Sequence, residues 1–294
     1  MFTVFAVISG VLTTLTVAQN GQLADFYGSY SAAMLIHAVG MITVLCWRFF
    51  QRKSLPPKKP APPWMFMGGV IGVATTVFIN SAFGGVSVTA IMALGLLGQL
   101  MTSIVVDQLG FLGTQKNRFS SKRLLGLTAV LGGAAAMLFP LGETSWVAVL
   151  LSLVSGVTIV FARMINGQLA ERQGAMRSTV MNYITGLTGT TLLMLLVGRG
   201  EPFFTDFRFS PNVFIYLGGA VGVVLTMLLN LTVPKLPAFA FTLLQFVGQI
   251  FTGLVLDVLL QGSFSWQSAL GGVLVAAGLC LDNAVTKGAQ AKGR

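Results

Sequence analysis

The chain has 294 residues, 54% of them hydrophobic and only 9% charged, with a formal net charge of +10. A soluble chain carries about 25% charged residues, so the composition argues against a soluble enzyme or a soluble binding domain. Repeated apolar runs of about 20 residues mean transmembrane helices instead.

Ten spans are expected, at 3–22, 30–49, 64–82, 87–107, 123–141, 146–166, 178–198, 213–231, 237–257 and 266–285. Met1 leads directly into the first apolar run, so no signal peptide is expected. Between the second and third spans, residues 51–63 contain five prolines, which disfavour helix and favour extended polyproline geometry. Cys46 and Cys280 lie inside apolar runs and read as small buried hydrophobes rather than as a disulfide or metal site.

Lysines and arginines set the orientation. With loops assigned alternately to two faces, 16 basic residues fall on the face that carries both termini and two, Arg199 and Arg208, on the other. That places both termini in the cytoplasm of a plasma membrane of the bacterial inner-membrane type. It also reads the excess positive charge as topogenic, with membrane lipids as partners and no nucleic acid.

The sequence repeats internally. Asn20-Gly21-Gln22-Leu23-Ala24 recurs as Asn166-Gly167-Gln168-Leu169-Ala170, and residues 9–40 align with 155–186 at ten of 32 positions. At an offset of 150, residues 68–107 align with 218–257 at 13 of 40 positions, pairing Asn80 with Asn230, Gln99 with Gln249, Thr102 with Thr252 and Asp107 with Asp257. A fixed period of this kind dictates the architecture. Each half holds five spans, an odd number, so the second half enters the membrane from the opposite side. The expected fold is an all-α integral membrane protein in an inverted-topology repeat: half one at 1–141, half two at 146–285 and a cytoplasmic tail at 286–294. Such repeats are a common construction of secondary transporters.

Ten spans in two five-helix halves, the Asn-Gly-Gln-Leu-Ala motif after a glycine-bearing first helix and the Gly98-Gln99…Asp107 pattern in the fourth resemble the drug/metabolite transporter superfamily, and within it the YdcZ-like branch in a fused two-half form. The resemblance implies a central cavity lined by the first four helices of each half, peripheral fifth and tenth helices, and alternating access. It leaves open a homodimer through the peripheral helices. The small multidrug relatives carry an acid in the first helix; here neither the first nor the sixth span has one, so their mechanism does not carry over.

Polar side chains within a span are costly and are candidates for function. Gln99 lies 12 residues into the fourth span, about 18 Å along it, and Gln249 lies equally far into the ninth; both are expected to line a mid-membrane substrate site, with Thr102 and Thr252 on the same face. Asn20, Gln22, Asn166, Gln168, Asn80 and Asn230 complete the substrate-binding set. The two Asn-Gly pairs read either as helix stops or as unwound turns offering backbone groups to a ligand. Asp107, Asp257, His37, its repeat counterpart Tyr183, and Arg163 form a second set for gating or proton coupling. Arg163 has Val17 as its counterpart and is expected either to snorkel to the nearby surface or to bind an anionic group. Gly68, Gly72, Gly218 and Gly222 form small-xxx-small pairs for close helix packing.

No nucleotide loop, metal cluster or nucleophile triad is present in the sequence, so no cofactor and no enzymatic activity are expected. The function expected is secondary transport of a small organic solute, neutral, zwitterionic or anionic because no acid lies mid-membrane. Alternatives are a flippase for a lipid-linked substrate, an intramembrane enzyme, or a non-transporting membrane scaffold.

Overall fold

The computed structural model describes residues 1–51, 59–83, 85–86, 88–111 and 145–261, with isolated positions at 116, 128, 132, 266, 270, 273–274 and 277–278. Eight long helices are seen among them: α1 (Phe2–Tyr27), α2 (Ser29–Phe50), α3 (Gly68–Ala82), α4 (Val88–Leu109), α5 (Trp146–Gln173), α6 (Ala175–Leu196), α7 (Gly218–Thr232) and α8 (Ala238–Gln261). Single 3-10 turns, Pro63–Met67 and Val213–Leu217, lead into α3 and α7. All eight are long and apolar enough to cross a membrane once those turns are included. The fifth and tenth expected spans, and Cys280, fall largely or wholly outside the described residues.

The helix ends correct the sequence reading. Asn20-Gly21 and Asn166-Gly167 neither stop nor unwind their helices: α1 runs on to Tyr27 and α5 to Gln173. The stops are Gly28 and Gly174, at φ 95° and 90°, where a side chain would be strained. Each closes the last turn by donating its N–H, Gly28 to Ala24 O at 2.8 Å and Gly174 to Ala170 O at 2.7 Å. The expected spans 3–22 and 146–166 ended with the apolar stretch, but the helices continue past it through Asp25, Glu171 and Arg172.

Helix contacts recur in pairs at the repeat offsets. A Cβ on Gly10 of α1 would collide with the Gln245 carbonyl oxygen of α8, and one on Gly248 of α8 with the Val7 carbonyl oxygen of α1. In the same way Gly98 of α4 abuts the Leu153 carbonyl and Gly156 of α5 the Gly95 carbonyl. Lipid gives apolar helices little drive to associate, so close backbone approach through small residues carries the packing. Between α4 and α8, Ala93, Leu96 and Leu100 interdigitate with Phe239, Leu243 and Phe246. The exterior is apolar: Ile42, Phe49, Met101, Val105, Leu192 and Phe251 are exposed. Cys46 belongs to this outer face and is exposed rather than buried.

The two ends of the bundle are tied differently. At one end, Lys59 N–H donates to Arg172 O at 3.2 Å, Lys235 pairs with Glu171 at 3.1 Å, and the Asp107 carboxylate accepts the Ala238 and Phe239 N–H groups at 3.1 and 3.0 Å. Asp107 thus ends α4 and caps α8, satisfying orphan N–H groups with a charge that suits the helix dipole. At the other end, Glu201 accepts from Tyr30 N (2.8 Å), Ser31 N (2.7 Å) and Ser31 Oγ (2.6 Å), capping α2, and Ser145 N–H donates to Gly85 O at 3.3 Å.

Candidate functional site

A cavity of about 230 Å³ lies between the helices. It is smaller than typical small-molecule pockets of roughly 300–1,000 Å³, which suits a compact solute. Its polar lining includes both members of four repeat-related pairs: Asn20 and Asn166, Asn80 and Asn230, Gln99 and Gln249, His37 and Tyr183. The extended helix ends explain the asparagines. With α1 ending at Tyr27, Asn20 sits seven residues inside the helix, about 10 Å deeper than a terminal residue.

Several of these side chains are held by neighbours. Asn166 Nδ2 donates to Asn182 Oδ1 at 2.7 Å. Asn230 Nδ2 donates to Thr179 Oγ1 at 3.0 Å, and Asn80 Nδ2 to Ser29 O at 3.2 Å. The His37 ring meets that of Tyr183 at 5.9 Å between centroids, and His37 Nδ1 lies 2.8 Å from Ala33 O. His37 and Tyr183, which the repeat pairs in sequence, therefore meet in space, each ring resting on the other half's glycine: His37 on Gly186 and Tyr183 on Gly40.

Arg163 is the site's cation, and it does not snorkel. It stands ten residues before the end of α5, about 15 Å, too deep to reach the surface, and it is buried to 4% exposure. Its Nη1 donates to Gln99 Oε1 at 3.1 Å and to Gln245 Oε1 at 3.0 Å. Its Nη2 donates to Ser103 Oγ at 3.4 Å and to Thr242 Oγ1. The guanidinium carbon also lies 4.9 Å above the Phe241 ring. These acceptors are all neutral. The charge that acts on it is Asp107, already engaged at the α8 cap. The salt bridges among the described residues, Arg208–Asp206 and Lys235–Glu171, lie at the surface.

Other candidates stand apart from the cavity lining. Thr102 and Thr252 donate to their own helices, at Gly98 O (2.7 Å) and Gly248 O (2.9 Å). Gln22 accepts from Asn212 Nδ2 at 3.2 Å near a helix end, and Gln168 is half-buried outside the cavity. The Asp257 side chain lies outside the described residues. Gly72 does not serve helix packing: it lines the cavity, and a Cβ there would meet nothing within 4 Å, whereas Gly222 lines the cavity and also makes room for a neighbour, since a Cβ there would come within 2.9 Å of the Tyr183 hydroxyl. Gly72→Ala is therefore expected to leave the melting temperature unchanged or slightly raised, since Ala favours helix by about 0.5–1 kcal/mol, while narrowing the cavity and slowing transport; thermal melts alongside flux measurements check this.

The family of the chain follows from comparison. The family model described as "Putative inner membrane exporter, YdcZ" matches residues 1–136 and 147–281, one segment for each half. The chain belongs to this family. No curated protein is significantly similar to it. A solved structure described as "Crystal structure of protein" is similar in fold, with a TM-score of 0.72 over 96% of this chain and 97% of that one, at 15% identity. This chain is thus a multi-pass inner-membrane protein of an exporter family, built in two halves. That class points to transport rather than catalysis.

The site also contains residues that the sequence did not single out. Gln245 bridges Arg163 and Thr13, its Nε2 donating to Thr13 Oγ1 at 3.1 Å. Thr242 and Ser103 complete the guanidinium shell, 3.1 Å apart, and Asn182 pairs with Asn166. At the repeat offsets, Gln245 stands opposite Gly95, Thr242 opposite Met92 and Asn182 opposite Ile36. Repeat symmetry gave them no signal; embedded polarity alone could have found them.

Proposed function

We propose that this YdcZ-family chain is a secondary exporter of a small organic solute that works by alternating access. Two five-helix halves, 1–141 and 146–285, enter the membrane from opposite sides and rock about the cavity between them. Both termini and the 286–294 tail are cytoplasmic. The observation that carries the reading is a polar cavity lined by repeat-related pairs from both halves, since a site of that kind presents similar chemistry to either side of the membrane.

Further features support ten spans. The α4 C-terminus lies at the end of the bundle where Asp107 caps α8, and α5 begins at the opposite end, where Ser145 meets Gly85. In this reading one further span joins them, and five crossings per half invert the second. The 16-to-2 split of basic residues supports the same topology. Close contacts at Gly10 and Gly248 on one side, and at Gly98 and Gly156 on the other, supply paired interfaces on which a rocking motion can turn.

Gln249 gives the direct test. It lines the cavity and is 4% exposed, and its amide makes no side-chain hydrogen bond among the described residues. In proteoliposomes, Gln249→Ala is expected to lower flux at least severalfold with the melting temperature nearly unchanged. Gln99→Ala, which removes an acceptor of Arg163, is expected to lower both. Normal flux in the folded Gln249→Ala protein would contradict a site at this cavity.

A further inference from the structure

The segment Gly198–Tyr216 joins α6 to α7 at the end of the bundle that carries Arg199 and Arg208, the outer end in the topology above. It belongs to the second half, but its polar groups engage the α1–α2 turn of the first. Glu201 is one centre of this contact. Its carboxylate accepts from Tyr30 N–H at 2.8 Å, from Ser31 N–H at 2.7 Å and from the Ser31 hydroxyl at 2.6 Å. A carboxylate suits a helix start, where N–H groups lack partners and the dipole is positive. Glu201 N–H donates to Gly198 O at 3.0 Å, so a turn of its own segment sets its position. Gly28 makes room for it, since a Cβ there would collide with the Glu201 side chain.

Tyr27 is the other centre, buried to 2% exposure. Its hydroxyl donates to Arg208 O at 2.9 Å and lies 2.6 Å from the Tyr216 hydroxyl, which in turn accepts from Ser210 N–H at 2.9 Å. Phe203 and Phe207 flank its ring, at 5.9 and 6.0 Å between centroids. The repeat places Gln173 opposite Tyr27 and Gly174 opposite Gly28. The tie at that other end is different in kind: Arg172 Nη1 donates to Pro60 O at 2.8 Å and Gln173 Nε2 to Lys59 O at 3.5 Å, both in exposed positions. Among the described residues, the carboxylate and the buried tyrosine hydroxyl have no counterpart in it. Glu201 and Tyr27 are therefore not part of the shared scaffold; they serve one end of the molecule.

Resting on the transport reading, we propose that Glu201 and Tyr27 latch an outer gate. The Gly198–Tyr216 segment holds the outer ends of the two halves together, and its release from the α1–α2 turn is the step that opens the cavity outward. Rocking the halves apart at that end breaks these bonds, because donor and acceptor lie on opposite halves. The chemistry suits a tie that must open. Glu201 is held by helix-start donors rather than by a basic side chain, so on release both the carboxylate and the first N–H groups of α2 pass to water, as at any exposed helix start. Exchange of protein partners for water makes the net strength of each bond modest, which lets the latch close without locking.

The test uses Thr76→Cys as a reporter inside the cavity, with Cys46 and Cys280 replaced by serine. A membrane-impermeant thiol reagent is applied to right-side-out and to inside-out vesicles, and the ratio of the outside to the inside labelling rate is read. Glu201→Gln keeps the shape and removes the charge. Tyr27→Phe keeps the ring and removes the hydroxyl. Ser31→Ala removes one of the three bonds to Glu201 and is mild enough to read where the other two variants do not fold. Each should raise the ratio, Glu201→Gln and Tyr27→Phe at least severalfold and Ser31→Ala by less. Outside labelling that appears only in the variants is the same result in its limiting form. A purely structural cap would lower the melting temperature and leave the ratio unchanged. An unchanged or lowered ratio in the folded variants overturns the proposal. With the parent labelled from both sides, that outcome removes the latch and leaves alternating access standing. Labelling of the parent and of every folded variant from one side only contradicts alternating access itself.

Discussion

Arg163→Leu should abolish transport and destabilise the protein, since each buried acceptor left without its donor costs about 1–3 kcal/mol. The guanidinium gives four hydrogen bonds to groups on α4 and α8, namely Gln99, Ser103, Thr242 and Gln245. A leucine leaves all four acceptors without that donor in a region where only the small cavity can admit water. Arg163→Lys keeps the charge but presents three donors from one point rather than a planar fork. It should fold better than Arg163→Leu and still transport poorly. Melting temperature and proteoliposome flux of the two variants measure the effects. A lysine variant with full flux would show that charge alone matters and that the fork is dispensable.

The second large effect is steric. Gly10→Ala and Gly248→Ala should each strongly destabilise the α1–α8 interface, because the added methyl group meets a backbone carbonyl rather than a flexible side chain. Overpacking of this kind costs about 1–3 kcal/mol, and here neither helix can yield without separating. Gly253→Ala is the control on the same helix, since a Cβ there meets nothing within 4 Å. Yield of folded protein and melting temperature should fall for the first two and hold for the third. Equal behaviour of all three would contradict the close helix approach.

These two predictions draw on different kinds of information in the sequence. Gly10, Gly98, Gly156 and Gly248 could be read in advance because both halves preserve them, and a position kept twice serves the shared scaffold. The cavity pairs Asn80 with Asn230 and Gln99 with Gln249 were legible for the same reason. Arg163 was legible as an embedded charge, but its role was misjudged by a helix boundary. An apolar span ending near residue 166 puts it three residues from the surface, whereas α5 continues to Gln173 and puts it ten residues inside. Hydropathy marks where lipid contact ends, and hydrogen bonding marks where the helix ends. Gln245, Thr242 and Asn182 escaped because their repeat counterparts are Gly95, Met92 and Ile36. The scaffold is built from what the halves share, and the Arg163 centre, Gln99 apart, from where they differ.

Alternating access to the shared cavity is the central claim, and Thr76 offers the most direct measurement. It lines the cavity from α3, and its hydroxyl donates to Gly72 O of its own helix at 3.0 Å, so Thr76→Cys perturbs little. With Cys46 and Cys280 replaced by serine, a membrane-impermeant thiol reagent is applied to right-side-out and to inside-out vesicles. Labelling from each side in turn, with the ratio of the two rates shifted by a transported solute, is the predicted result. Labelling from one side only, under every condition and with every solute that the protein moves, would contradict it.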